Sequence, residues 1–425
     1  MIMDTSKFVL IIANKCKNFL LKIFPYEWLK KIKGKMIEKS LEELQIIEIQ
    51  PFIRTLNADG INLVGNFKAE TGLGQSCRLV ADEIIASGIS CSLYQYEQLG
   101  IMAEGQYGDY EEKVSSNLPH NINVLHINPH EIGLAFMQNH EKIWNGRYNI
   151  GFWLWELEEF PEQWTPCFHC VDEIWTPSEF ITNAVRKKTS LPVVTIPYHI
   201  EASVKGNYNR SDFSLPDNQF LFLMMYDRTS MTKRKNPEGV IKAFKKAFKP
   251  NENVGLVIKI NNCTETEIGC LKRDLAEYCN IYFLTEIMER DRVYGLIRCV
   301  DAVVSLHRAE GFGLVLAEAM YLGTPVIATN WSSNTEFMTS EIACMVDYQL
   351  VEIKEDIGLF KKGNYWAEPD IGHAAAYMRM LFESPVQCEI LAGKAQKYIQ
   401  KYLNMGRVTA IVRQRLKEIY KEDTL

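Results

Sequence analysis

Two glutamates, Glu310 and Glu318, stand in the stretch of the chain best suited to bind a ligand. A short apolar run over residues 302–306 leads into a turn that holds Glu310 and two glycines, and apolar residues then return at helical spacing. This order predicts a strand, a loop and a helix. In an open parallel sheet such a loop lies at the carboxyl ends of the strands, where ligands bind. The first amides of the helix have no partner within it, so they favour an anion such as phosphate.

The glycines, Gly311 and Gly313, would let the backbone approach this anion closely. A carboxylate beside a phosphate is repelled, so we expect Glu310 to face a neutral part of the same ligand and to accept hydrogen bonds from its hydroxyl groups. Glu318 follows about two helical turns later, on roughly the same face. The two carboxylates could therefore hold one elongated ligand that is rich in hydroxyl groups.

A second set of candidates, Ser230, Lys233, Arg234 and Lys235, lies just before a helix that Pro237 would open. Cations and a hydroxyl at the carboxyl end of a strand can bind a diphosphate, and a cation there stabilises the charge of a departing group. The alternative for such a lysine-rich run is an ordinary solvated face.

The stretch EGFGLVLAEAM, followed by GTPVIAT, resembles the Glu-x7-Glu signature of the family-4 (group 1) retaining glycosyltransferases of the GT-B fold. The resemblance implies that Glu310 acts at the donor sugar and diphosphate, that Glu318 holds the nucleotide ribose, and that the basic residue of the phosphate-binding element is Lys235, with Arg234 beside it. The other donor-binding residues that we predict are Ser230, His307, Gly311, Phe312, Gly313 and Leu314.

From Ile61 the pattern predicts a strand, a loop with Gly72 and Gly74, a helix and a second strand. The glycines lack the third position of a dinucleotide fingerprint. The stretch resembles the glycine loop of the acceptor domain of the same family. This likeness implies that Gly74 approaches the donor phosphates and that Gly72 lies on the acceptor side.

The stretch YNIGFWLWELEEFPEQW combines aromatic rings with carboxylates at the end of a predicted strand over residues 148–155. Such a combination suits a carbohydrate, and we predict Trp153 and Glu156 as acceptor-side residues; the alternative is that Trp153 and Trp155 belong to the core. The stretch resembles a subgroup that assembles polysaccharide and lipopolysaccharide, as does WAEPDIGHAAAYM. Much of the wider family has a histidine where this chain has residues 153–156.

Composition places the chain among globular proteins of two to three domains, because it has 425 residues, of which 47% are apolar and 24% charged. Eleven cysteines without regular spacing, and no convincing secretory signal, predict reduced thiols in a cytoplasm. We interpret the close pair Cys167 and Cys170 as helix packing. No Asp-x-Asp sequence occurs, so we expect neither a metal nor another cofactor.

Residues 1–39 contain nine lysines and three acids. Aromatic and aliphatic residues alternate with these lysines, but no apolar run approaches the ~20 residues that a spanning helix needs. The segment is typical of a basic amphipathic helix on an anionic membrane surface, which predicts a cytoplasmic protein at the inner face of the membrane. A helix packed on the protein's own core is the alternative.

Strand-like runs that alternate with helical segments predict an α/β fold with doubly wound parallel sheets. The resemblance implies that two such Rossmann-like domains face each other across a cleft, which is the GT-B fold. The predicted division is an N-terminal extension over residues 1–50, an acceptor domain over 51–205, a nucleotide-sugar domain over 206–385 and C-terminal helices over 386–425 that return to the first domain.

The resemblance predicts an enzyme that moves a sugar from a nucleotide-sugar to a glycan or a lipid-linked acceptor, with retention of configuration and without nucleic acid as a partner. A catalytically silent GT-B protein that binds glycans or a partner subunit is one alternative, and a GT-B epimerase or phosphorylase is another.

Overall fold

The computed structural model describes residues 44–96 and 108–422, together with residues 32, 34, 35, 40, 41 and 105. Most of the predicted basic extension, including residues 1–31, lies outside the described residues, and so does the membrane contact predicted for it. Within the described part of the chain, no helix combines the length and the apolar character that crossing a bilayer requires.

The first domain is built on a parallel sheet of six strands in the order β2-β1-β3-β4-β5-β6. Its strands are β1 Ala58–Gly65, β2 Cys91–Gln95, β3 His120–His126, β4 Tyr148–Phe152, β5 Glu173–Thr176 and β6 Val193–Thr195. Its helices are α1 Gly72–Ala86, α2 Pro129–Ile143 and α3 Glu179–Arg186. Because helices cover a parallel sheet, its strands are buried, and every residue of β3 is buried here.

Three buried asparagines, Asn62, Asn123 and Asn149, fix the register of the central strands β1, β3 and β4. The amide of Asn62 donates to Asn123 Oδ1 at 2.9 Å, and the amide of Asn123 donates to Asn149 Oδ1 at 2.8 Å. The three residues are direct neighbours in the pairing of the strands. A shift by one residue would break both of these buried hydrogen bonds, which is costly.

The second domain repeats the plan with a parallel sheet in the order β12-β11-β10-β7-β8-β9. Its strands are β7 Phe220–Asp227, β8 Val254–Asn261, β9 Ile281–Leu284, β10 Ala302–Ser305, β11 Val326–Thr329 and β12 Cys344–Val346. Its helices are α4 Thr232–Lys235, α5 Pro237–Ala247, α6 Glu265–Asp274, α7 Arg290–Cys299, α8 Leu314–Tyr321 and α9 Ile371–Glu383. The prediction of two Rossmann-like sheets is confirmed.

A two-stranded antiparallel hairpin, which the sequence did not predict, follows the second sheet. It consists of β13 Tyr348–Glu352 and β14 Tyr365–Pro369. The loop between these strands carries Phe360, which is almost fully buried and lies 5.5 Å, between ring centroids, from Trp155 of the first domain. The hairpin therefore connects the two domains on one side of the cleft.

Two long helices, α10 Pro385–Tyr402 and α11 Met405–Glu422, end the described chain. Helix α11 contacts the first domain through Arg415. Its Nη2 donates to the carboxylate of Glu173 at 2.7 Å, and its Nε donates to the same carboxylate at 2.8 Å. Glu173 is fully buried and also accepts from Tyr148 and Trp175. The last helix of the chain is thus held to the first sheet by a buried ion pair.

Candidate active site

The loop between β10 and α8 is the centre of the site. Gly313 ends this loop with φ of +95°, a conformation that favours glycine, and helix α8 begins at the next residue. Among the described residues, no side chain caps the first turn of α8. Its amides are therefore available to an anion at the carboxyl end of the sheet.

Glu310, in the same loop, lies between two cations. Its carboxylate forms ion pairs with Lys235 and, at 3.3 Å, with Arg234. Burial alone would raise the pKa of Glu310, but the charges of Lys235 and Arg234 outweigh burial and lower the pKa to about 2. Glu310 is therefore ionised at neutral pH.

The two cations belong to the short helix α4, whose place in the site is fixed by its flanking residues. Asn236 adopts φ of +53°, caps α5 by accepting from Gly239 N, and donates to Leu306 O at 2.9 Å. Arg234 is buried and donates to the carbonyl of Ala309 at 3.0 Å. Burial lowers the pKa of Lys235, although the neighbouring Glu310 opposes this shift.

Glu156 faces this cluster from the first domain. One of its oxygens lies 3.7 Å from Arg234 Nη2, and burial raises its pKa while Arg234 opposes the shift. A Cβ at Gly311 would lie 3.3 Å from the carbonyl oxygen of Trp155 and 3.7 Å from Cγ of Glu156. The predicted residues Glu156, Gly311, Arg234, Lys235 and Glu310 thus come together where the domains meet.

Glu318 is buried and has a separate set of partners on α7. Its Oε1 pairs with Arg290 and lies 3.4 Å from the hydroxyl of Tyr294. In the described part of the chain, its Oε2 has no hydrogen-bond partner. The sequence analysis missed Arg290 and Tyr294, because neither residue differs in sequence from an ordinary residue of a helix surface.

Comparison with known proteins identifies the second domain. Residues 209–378 match the model of the family described as "Glycosyl transferases group 1". The second domain is therefore similar to this family over most of its length. No curated protein matches the sequence of the chain.

Solved structures with a similar fold cover most of the chain. HepE from Anabaena, in complex with UDP and glucose, has a TM-score of 0.62 at 12% identity and covers 84% of this chain and 100% of its own. Sucrose-phosphate synthase from Thermosynechococcus elongatus has a TM-score of 0.63 at 14% identity and covers 86% of this chain and 100% of its own. The pneumococcal O-GlcNAc transferase GtfA, with UDP and GlcNAc, has a TM-score of 0.52 at 14% identity and covers 70% of this chain and 57% of its own. The chain has the GT-B fold of these glycosyltransferases.

Four other residues predicted to bind the donor, His307, Phe312, Ser230 and Leu314, also lie in the second domain. His307 is fully buried; its Nδ1 lies 3.1 Å from Ser305 Oγ and its Nε2 lies 3.0 Å from Asn334 Oδ1. Burial lowers the pKa of His307.

Phe312 is buried, with its ring 4.9 Å from that of Tyr198 in the first domain. Ser230 donates to the carbonyl of Asp227 at 2.7 Å. Leu314 is the first residue of α8 and is half-buried.

The predicted glycine loop of the first domain needs a correction. Helix α1 begins at Gly72, so both glycines lie in its first turn, which Thr71 caps by accepting from Gly74 N at 3.1 Å. A Cβ at Gly74 would overlap the carbonyl oxygen of Ala69. Close packing within the domain accounts for Gly74. A Cβ at Gly72 would meet open space among the described residues, apart from its chain neighbours.

The prediction of Trp153 as an acceptor-side residue also needs a correction. The structure shows Trp153 as a core residue, which was the alternative. Strand β4 ends at Phe152, and the indole of Trp153 is fully buried against Phe160 and Phe168, with ring centroids 6.0 and 5.7 Å away. Trp155 is buried as well. Glu156, directly after these aromatic residues, is the acidic group of this stretch that reaches the cation cluster.

The CFHC pair behaves as the packing interpretation predicts. Cys167 and Cys170 lie buried in a 3-10 helix over residues Glu162–Cys170, and the thiol of Cys167 donates to the carbonyl of Pro129 at 3.1 Å. His126 of the same domain is also buried, and its Nε2 lies 2.6 Å from Ser76 Oγ. Burial lowers the pKa of His126 to about 4, so the ring is neutral at physiological pH.

Proposed function

We propose that the protein is a retaining glycosyltransferase that moves a sugar from a uridine nucleotide-sugar to a glycan or lipid-linked acceptor in the assembly of a cell-surface polysaccharide. The observation that carries this proposal is the cluster of Glu310 with Lys235 and Arg234 beside the uncapped first turn of α8. Preorganised cations and amides in a partly buried site stabilise negative charge that develops on a leaving group.

The donor fits this arrangement by its charges. Its diphosphate would lie against Lys235, Arg234 and the amides of α8, where the helix N-terminus favours an anion. A hydroxyl of the donor sugar would donate to Glu310. The free Oε2 of Glu318 would accept from a ribose hydroxyl, because a buried carboxylate oxygen without a partner is costly to keep. HepE in complex with UDP-glucose, and GtfA with UDP, support the choice of uridine.

The chemistry that we propose needs no metal, because Lys235 and Arg234 supply the cationic charge that a divalent ion would otherwise provide. Loss of the sugar places charge on the diphosphate, and a diphosphate oxygen would accept the proton of the acceptor hydroxyl on the same face of the sugar, which gives retention. Glu156 would face the acceptor side of the reacting centre, since it reaches the cation cluster from the first domain.

The setting of the reaction is also a proposal. The acceptor would bind to the first domain over residues 51–205, and the donor would bind to the domain over residues 206–385. The basic segment over residues 1–39 would hold the protein at the cytoplasmic face of an anionic membrane, where a lipid-linked acceptor is presented.

Titration calorimetry with UDP, followed by a screen of uridine nucleotide-sugars for hydrolysis, tests the proposal. We expect UDP to bind, and we expect at least one nucleotide-sugar to be hydrolysed slowly in the absence of an acceptor. Binding of UDP without turnover of any donor, with or without candidate acceptors, would instead favour a catalytically silent GT-B protein.

A further inference from the structure

A short segment over residues 331–336, here called the coupling segment, contacts both the first domain and the loop between β10 and α8, here called the donor loop. It follows β11 and ends in a 3-10 helix, Ser333–Glu336. On one side it holds His307 and Glu310 of the donor loop. On the other side it contacts the start of α3. No part of the proposed mechanism has used it.

Glu336 completes the N-terminus of α3 from the other domain. Its two carboxylate oxygens accept from the backbone amides of Glu179, at 3.0 Å, and Phe180, at 2.8 Å. The next amide of α3, that of Ile181, is capped by Ser178 from within the first domain. Free amides at a helix start favour a carboxylate, so this contact draws the domains together.

Two serines of the coupling segment continue the connection. Ser333 Oγ lies 2.8 Å from the hydroxyl of Ser178, which itself donates to the carbonyl of Gly311 at 3.4 Å. Ser332 accepts from the backbone amide of Glu310 at 3.0 Å. Ser332, Ser333 and Ser178 thus connect the backbone of the donor loop, at Glu310 and Gly311, with the start of α3.

The backbone of Ser332 shows that this arrangement is constrained. Ser332 has φ of +73° and ψ of −157°, a region that glycine almost alone occupies. A serine persists there only where surrounding contacts determine its conformation, and its buried hydroxyl makes the contact to Glu310. Asn334, two residues later, holds His307.

We propose that the coupling segment links closure of the two domains to the placement of Glu310, with Glu336 as a positioning residue; this inference rests on the proposed function. When the domains meet, Glu336 binds the start of α3, and the backbone that carries Ser332 then fixes the amide of Glu310. When they separate, the amides of Glu179 and Phe180 turn to water, and the support of the loop from the first domain is lost.

Glu336→Gln tests the proposal, with Glu341→Gln as the matched control, because Glu341 is an exposed carboxylate five residues further along. A glutamine can accept from one of the two amides, but its NH₂ group faces the other. We expect UDP still to bind, but a few-fold more weakly than in wild type, because a ligand that favours closure loses part of its affinity when closure is destabilised. We expect kcat to fall by about tenfold or more, the scale for losing one charge-assisted hydrogen bond.

Hydrogen exchange of the peptide over residues 178–186 provides a readout that needs no turnover. We expect faster exchange in Glu336→Gln than in wild type, and we expect UDP to slow exchange there in wild type and in Glu341→Gln but not in Glu336→Gln. Unchanged kcat together with unchanged exchange would overturn the proposal, as would equal protection by UDP in all three proteins.

Ser333→Ala and Glu336→Asp keep the test decisive if Glu336→Gln does not fold. Ser333→Ala removes only the hydroxyl contact to Ser178, whereas Glu336→Asp keeps the charge at position 336. A kcat that falls less in Glu336→Asp than in Ser333→Ala, each compared with wild type, supports a positioning role. If wild type neither binds UDP nor turns over a donor, the proposed function fails. The exchange comparison without ligand then still decides whether Glu336 holds α3.

Discussion

Replacing Lys235 with alanine removes one of two cations at the proposed reacting centre. Lys235 contacts the carboxylate of Glu310, and its side chain is 23% exposed. At about 4 Å and an effective dielectric constant of ~20, one ion pair amounts to ~4 kcal/mol. Each ~1.4 kcal/mol of transition-state stabilisation corresponds to a factor of ten in rate, so the upper limit is about 10³.

Arg234 remains beside Glu310 in this variant and takes over part of the charge. We therefore expect kcat/KM to fall by ~10²–10³, the scale for one preorganised stabiliser. The carboxyl of Glu310 also loses a cation, so we expect its pKa to rise from about 2. The effect is measured as the initial rate of sugar transfer from a nucleotide-sugar, with the release of UDP as the signal.

Lys233→Ala is the matched control, because Lys233 lies in the same short helix but is 59% exposed and pairs with Glu355 away from the cluster. We expect it to retain activity within about threefold, since an exposed ion pair contributes ~0–1 kcal/mol. If Lys235→Ala also stays within threefold, the cation that meets the diphosphate is not Lys235, and the role falls to Arg234.

Three further variants test other parts of the structure. Glu318→Ala should weaken UDP binding in calorimetry by ~1–3 kcal/mol, the scale for hydrogen bonds to a charged acceptor; equal affinity removes Glu318 from the ribose site. Arg415→Ala should lower the free energy of unfolding in urea by ~3–5 kcal/mol, because it leaves Glu173 buried without its cation, and a loss under ~1 kcal/mol contradicts this. Deleting residues 1–39 should abolish co-sedimentation with anionic liposomes and leave UDP binding intact; loss of UDP binding instead favours a helix packed on the core.

The parts of the fold that follow from local pattern could be predicted from the sequence. The run FLFLMMYD became β7, and the turn with Glu310 lies between β10 and α8 as expected, because apolar period and glycine position act over a few neighbouring residues. The apolar pattern is weaker in β3, whose buried Asn121 and Asn123 depend on partners in neighbouring strands.

Contacts between distant residues could not be predicted in this way. Arg290 and Glu318 pair across two helices, and Glu336 meets α3 in the other domain. Neither position differs in sequence from an ordinary surface charge. Trp153 shows the opposite limit: an aromatic residue after a strand suits a sugar or a core equally well, and only the positions of Phe160 and Phe168 decide between them.

The structure also explains how a carboxylate can lie next to a proposed phosphate site. Two cations, Arg234 and Lys235, surround the single carboxylate of Glu310, so the cluster keeps one positive charge. Burial raises the pKa of Glu156, the nearest acid from the first domain, which favours its neutral form and limits the negative charge it adds. An arriving diphosphate therefore meets two cations, of which the carboxylate of Glu310 balances one. As the cations turn towards it, the carboxylate of Glu310 becomes free to accept hydrogen bonds from the sugar, which is the part of the ligand that a carboxylate can bind.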